Sequence, residues 1–228
     1  MPRGFLLHSR PFRESSCIAT FLTDTDGRLD VIVRAARAGS KRRASVPLPF
    51  LPYELSWAGR AELKHLQYCE PAGQLFHLVA QPLFCGFYLN ELLWRLLPAH
   101  MPEPVLLDAY ANALHQLATG EEMEPVLRRF ELTLLAELGY GLELACGHDG
   151  SALQADTLYR YVPQQGLVST ASAMEGAALC GSGEEFLAIA ARDFGNPAVC
   201  RLAKALLRTV LAQHLGNKPL RSRELFAR

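Results

Sequence analysis

Apolar positions recur every second residue in the first seventy residues of the chain and at helical spacing thereafter. The segment "RLDVIVRAA" alternates Leu29, Val31 and Val33 against Asp30, Ile32 and Arg34, the pattern of a strand with one buried face. "GFLLHSR" and "SCIATFLT" are β-branched or aromatic-rich runs, and "DTDG" between the second and third runs supplies a turn with Gly27 available for positive φ. "PFLPYELSWAG" and "AELKHLQYCEP" add two more strands, joined at Ala58-Gly59-Arg60. Pro49 and Pro52 would interrupt a central ladder, so the fourth strand is expected to begin near Tyr53 or to lie at an edge. Five short strands predict a small antiparallel barrel, for which the OB-fold is the commonest five-stranded choice.

From Pro71 onward the period lengthens. "QPLFCGFYLNELLWRLLP" places Leu83, Phe87, Leu89 or Asn90, and Trp94 on one side of a helix, with Pro82 in its first turn. "EPVLLDAYANALHQLATG" and "EPVLRRFELTLLAELGYG" repeat the logic, each with a proline near the start and a glycine past the last turn. Residues 144–182 are rich in Gly, Ser and Ala, with two strand-like pieces at Leu158–Val162 and Gly166–Ser169, and predict an irregular β-containing insert. Helix returns at "EEFLAIAAR" and in "NPAVCRLAKALLRTVLAQHLG", where Asn196 caps, Pro197 takes the first position and Gly216 closes. The predicted class is α+β: an OB-fold barrel over residues 1–73, then a helical domain over 74–228 carrying the insert. A chain of 228 residues is long enough for two such domains, each with its own core.

Charge changes this picture more than composition does. The formal net charge is zero, but residues 1–70 carry +4, residues 71–200 carry −10 and residues 201–228 carry +6. Within the basic start, Arg34, Arg37, Lys41, Arg42 and Arg43 crowd one stretch, with no acidic residue from Val31 to Tyr53. That stretch is the loop between the third and fourth strands. Cations there neutralise phosphates and release counterions, and Phe12, Phe50, Tyr53 and Trp57 offer π-faces for unpaired bases. The loop is therefore assigned as a nucleic-acid-binding site, in preference to a merely solvated loop or a nuclear-localisation reading of "SKRR". The basic end, "GNKPLRSRELFAR", fits equally well as cations at a helix C-terminus or as a second binding element.

Catalytic signatures are absent. The chain has no G-x-S-x-G, Walker loop, H-E-x-x-H or dinucleotide fingerprint, and "TDTDGR" lacks the ligands that would make it a calcium loop rather than a hairpin turn. Six cysteines are scattered without a C-x-x-C pair and are expected to be reduced core residues. Cys146, His148 and Cys180 flank the insert but do not make up two ligand pairs, so no metal is expected. Neither a signal-peptide core nor a membrane-length apolar run is present, and the chain is expected in the cytoplasm.

"LHSRPFRESS", "GRLDVIVRAARAGSKR", "FYLNELLWRLLP", "LRRFELTLLAELGYGLELACG" and "GNKPLRSRELF", in this order along essentially the whole chain, resemble the RecO family of bacterial DNA repair and recombination mediators. The resemblance implies an N-terminal OB-fold followed by a helical domain, and no bond-breaking activity. It further implies binding of single- and double-stranded DNA and annealing of complementary strands. The implied protein partners are the tail of single-stranded DNA-binding protein and RecR, with which the family helps to load RecA. The family's basic barrel loop corresponds to Arg34, Arg37, Lys41, Arg42 and Arg43. Arg128 and Arg129 lie where the family receives the acidic tail of the single-strand binder, with Lys204 and Arg208 as further candidates for the same groove. Many members bind zinc through two C-x-x-C pairs in the insert; this chain keeps Cys146 and Cys180 without their partners, a degenerate zinc ribbon, and no cofactor is expected. The alternative function is a protein-interaction adaptor whose barrel binds a partner protein instead of DNA.

Overall fold

The computed structural model describes residues 1–14, 16–34, 47–171, 179–216 and 218–227. Strands β1 (Arg3–Phe12), β2 (Ser16–Thr23), β3 (Gly27–Arg34), β4 (Pro52–Ala58) and β5 (Lys64–Pro71) form a closed barrel in the order β1-β2-β3-β5-β4. All neighbours are antiparallel except β3 and β5, which run parallel and pair only at Val31↔Lys64 and Ile32↔His65. This is the OB arrangement the alternation predicted. Because the barrel closes, β4 is not an edge strand; Pro52 is tolerated as its first residue, where a missing N–H interrupts the ladder least.

Leu29, Val31 and Val33 point into the barrel as expected, together with Leu6, Ala19, Phe21, Tyr53 and Leu55. Phe21 and Tyr53 meet edge to face at 6.4 Å. A bulge between Leu6 and His8 shifts the phase of β1, so that His8 rather than Leu7 stands opposite Thr20. Gly27 holds φ 62° at the β2–β3 turn, and a Cβ there would lie 1.8 Å from the Met101 carbonyl oxygen, so both the backbone and the space demand glycine.

Helices α1 (Gln81–Leu96) and α2 (Pro104–Ala118) cluster with the barrel, as does the closing 3-10 segment Arg221–Ala227. Composition changes at residue 73, where strands give way to helices, but compact packing divides the chain differently: one unit is Met1–Glu121 with Pro219–Arg228, the other Glu122–Lys218. In the first unit, α1 lies against the outside of the barrel. Trp94 stacks on His8 at 4.2 Å, its carbonyl accepts from Arg28 at 2.7 Å, and Asn90 donates to the Leu6 carbonyl while accepting from Tyr110. The buried residues of α1 include Cys85, Leu89, Leu92 and Leu93, whereas Leu83 is half-buried and Phe87 is exposed, so the expected face is only partly the observed one. The polar residues of this helix are few, Gln81, Asn90, Glu91 and Arg95, and Asn90 is itself buried, so polarity marks no side clearly.

The end of the chain is fastened to α1 by a carboxylate. Glu91 accepts from the backbone N–H of Arg221 at 3.0 Å and from the N–H and hydroxyl of Ser222 at 2.8 and 2.7 Å, with Arg95 3.7 Å away. "KPLRSRELF" is therefore a structural clasp, a role its basic composition does not show. Burial alone would raise the Glu91 pKa, but the Ser222 and Arg221 hydrogen bonds and Arg95 together bring it below its ordinary 4.5. A carboxylate with a depressed folded pKa contributes stability above its unfolded pKa and loses it as pH falls through the lower folded value. Glu91→Gln is expected to destabilise the first unit by about 1–3 kcal/mol at pH 7. The gap in thermal midpoint between the two proteins should narrow as pH falls from 5 toward 3; a gap independent of pH would contradict this role.

In the second unit, α3 (Met123–Glu137) packs on α5 (Pro197–Leu215), with α4 (Gly183–Ala190) beside α5. Phe130 and Leu134 of α3, and Leu206, Leu207 and Leu211 of α5, are almost wholly buried. The insert holds β6 (Leu158–Val162) and β7 (Gly166–Ser169) at the positions expected from sequence, plus a third strand, β8 (Cys180–Ser182), in the order β7-β6-β8. Ser182 ends β8 and begins α4 through a capping box with Glu185.

Candidate nucleic-acid interface

The register fixes which barrel side chains share the outer face. His8, Thr20 and Asp30 form one row across β1, β2 and β3; Arg10, Ile18 and Ile32 form the next; Phe12, Ser16 and Arg34 form the last. Residues in one row of paired strands project to the same side. The Trp94 ring covers His8 of the first row, while Arg10, Arg13 and Arg34 are exposed and Phe12 is half-buried. Arg13 follows β1 with φ 54° and sets its guanidinium 5.0 Å from the centre of the Phe12 ring. This end of the barrel thus carries three cations and an aromatic ring, with Glu14 adding a carboxylate. Arg34 stands where the sequence pattern places it, at the root of the basic loop; Arg37, Lys41, Arg42 and Arg43 lie outside the described residues. Arg10 and Arg13 do not stand out in the sequence, because only the strand register shows that they join Arg34.

Of the four aromatic residues expected to offer π-faces, Phe12 is half-buried on the outer side of the barrel, with Arg13 beside its ring. Phe50 and Tyr53 are buried, Tyr53 accepting from the Leu48 N–H at 2.7 Å, and Trp57 packs partly buried against the barrel core. The short β3–β5 pairing leaves a cleft of about 900 Å³ lined in part by Ile32, Arg34, Leu48, His65, Tyr68 and Glu70. Cys69, also in this cleft, is not a thiolate: burial, and then the Glu70 carboxylate, push its thiol up to about 12.

In the second unit, Arg128 is buried and its guanidinium donates to Glu131 at 2.8 Å, with Glu124 3.7 Å away; its Nε meets no acceptor among the described residues. Arg129 is half-buried, 5.9 Å from the Phe194 ring centre. Lys204 is exposed and paired with Glu124 at 2.6 Å, and Arg208 is exposed one turn further along α5. Lys204 and Arg208 are thus exposed and Arg129 partly so, whereas Arg128 is turned to carboxylates of its own helix.

The two cysteines of the insert lie on opposite sides of its small sheet. Gly147 bridges to Leu167 on the free side of β7, while Cys180 lies in β8 on the opposite edge. The two cysteines are separated by three strand positions, roughly 14 Å at the usual spacing, against the single tetrahedral shell zinc requires. Desolvation, followed by the Glu143 and Asp149 carboxylates, raises the Cys146 pKa and keeps this thiol protonated in the metal-free chain. Among the described residues no group of three or more His, Cys, Asp or Glu is placed to hold a metal ion.

Residues 2–75 match the family model for the N-terminal part of recombination protein O, and residues 80–224 match that for its C-terminal part. The chain belongs to the RecO family. It is 43% identical over 222 residues to the DNA repair protein RecO of Pseudomonas aeruginosa strain LESB58, covering 97% of this chain and 92% of that protein. It is 41% identical over 227 residues to the DNA repair protein RecO of Methylococcus capsulatus strain Bath, covering 99% and 92%. To that of Haemophilus influenzae strain 86-028NP it is again 41% identical over 227 residues, covering 99% and 95%. The RecO family is a DNA repair family, and its N-terminal model spans the barrel whose outer face carries Arg10, Phe12 and Arg34. No described helix is long and apolar enough to cross a membrane.

Proposed function

We propose that this RecO-family chain is a cytoplasmic recombination mediator that binds single- and double-stranded DNA without regard to sequence, anneals complementary strands and breaks no bond. Its near full-length identity to proteins named DNA repair protein RecO carries the reading, and the cationic end of the barrel supplies the chemistry. Two complementary strands repel each other through their phosphates. Cations of the barrel loop that bind both backbones release counterions and lower that barrier without reading a base. The acidic stretch of residues 71–200, at −10, keeps DNA on the barrel rather than on the helices.

In the same reading the helical part receives the acidic C-terminal tail of single-stranded DNA-binding protein. The exposed Lys204–Glu124 pair is worth little by itself and exchanges its carboxylate for that of a peptide, with Arg129 and Arg208 alongside. RecR is the partner with which such a mediator helps to load RecA, and no cofactor takes part. An annealing assay tests the proposal. The chain is expected to accelerate pairing of two complementary oligonucleotides at low salt, to do so equally in EDTA, and to leave both strands intact in magnesium. Strand cleavage would overturn the non-catalytic reading, and loss of annealing on chelation would assign a metal to the insert.

A further inference from the structure

Resting on the DNA-binding reading, we infer that Phe12 and Arg13, at the tip where β1 turns into β2, form a base-stacking platform for single-stranded nucleic acid, distinct in chemistry from the phosphate-binding loop. Four observations meet there. Phe12 is half-buried on the outer side of the barrel, in the row that runs through Ser16 to Arg34. Arg13 lies over its ring at 5.0 Å, a flat cation beside a flat ring. Arg10, two residues back on the same face, and Arg34, two strands away, are exposed, roughly 7 and 10 Å from Phe12 at standard strand dimensions. The tip is also the β1–β2 loop, one of the places where five-stranded barrels of this topology meet oligonucleotides.

Stacking selects the partner. The bases of a duplex already stack on each other, whereas an unpaired base has a free π-face that an aromatic ring or guanidinium covers regardless of sequence. Phosphates on either side of that base fall within reach of Arg10 and Arg34. The platform therefore biases the barrel toward single strands, while the loop cations serve both forms. Arg13 holds a left-handed backbone that a non-glycine residue adopts at a cost, so Arg13→Gly removes the cation while relaxing the fold.

The test is fluorescence anisotropy with a labelled oligo-dT and a duplex of equal length at one salt concentration, for the wild type, Phe12→Ala, Phe12→Trp and Arg13→Gly, with the salt slope measured alongside. Phe12→Ala should weaken oligo-dT binding about 5- to 100-fold and leave duplex affinity and the salt slope unchanged. Arg13→Gly should act in the same direction with an undiminished melting temperature, and Phe12→Trp should retain or improve oligo-dT affinity. Equal losses on both DNAs, or no loss on oligo-dT, would overturn the platform. A wild type that binds neither DNA would overturn the functional reading on which the platform rests.

Discussion

Replacing Arg128 with alanine is expected to lower the unfolding free energy by about 3–5 kcal/mol, the range seen when one member of a buried ion pair is removed. Its guanidinium is buried and donates to Glu131, itself 1% exposed, at 2.8 Å. Without Arg128, the Glu131 carboxylate keeps the cost of burial and loses the cation that offsets it. Arg128→Glu should be worse, because it sets a second carboxylate three residues before the first. The double variant Arg128→Met with Glu131→Leu removes both charges and fills much of the same space, and should recover most of the loss. Urea unfolding of the three variants checks this; equal destabilisation by the single and double variants would show that the pair itself contributes nothing. Arg128 is for this reason the wrong residue with which to test recruitment of an acidic tail, since its variants lose the site by unfolding it. Arg129→Glu and Arg208→Glu leave the buried pair intact.

Much of this arrangement is legible in the residues. Strand β3 reads clearly because its inner positions Leu29, Val31 and Val33 are apolar and three of its outer ones, Arg28, Asp30 and Arg34, are charged, with Ile32 the exception. Helix α5 announces both its ends, and Asn196 and Gly216 stand where its cap and stop are expected. The third strand of the insert, Cys180–Ser182, is three residues long, too short to show any period. The clasp at Arg221 and Ser222 reads only as basic in the sequence because its bonds run through backbone N–H groups and one hydroxyl, which carry no charge. Arg128 shows the reverse. Glu124 and Glu131 lie four residues before it and three after it, a spacing that brings all three to one side of a helix, and that signal is present in the sequence.

The cationic face of the barrel depends on a register that sequence alone does not give. The bulge at Leu6/His8 decides whether Arg10 and Phe12 point outward, and a slip of one residue would bury both. With the bulge in place, Arg10 and Arg34 share the outer face, with Arg13 beside Phe12, and Arg34 opens the stretch that continues in sequence through Arg37, Lys41, Arg42 and Arg43. Each cation that meets a phosphate displaces a condensed counterion, so the number of phosphates neutralised is read from the salt dependence of affinity rather than from affinity itself. A surface that binds a partner protein would show no such dependence on DNA.

That dependence is the most direct test of the account. Duplex affinity is measured from 50 to 200 mM salt for the wild type and for a variant with Arg34, Arg37, Lys41, Arg42 and Arg43 all changed to alanine. The slope of log K against log salt should flatten by about 4.5, at roughly 0.9 for each of five phosphates no longer neutralised, with the greatest drop in affinity at the lowest salt. An unchanged slope and an unchanged affinity would contradict the account and leave the barrel as a protein-binding adaptor with a solvated loop.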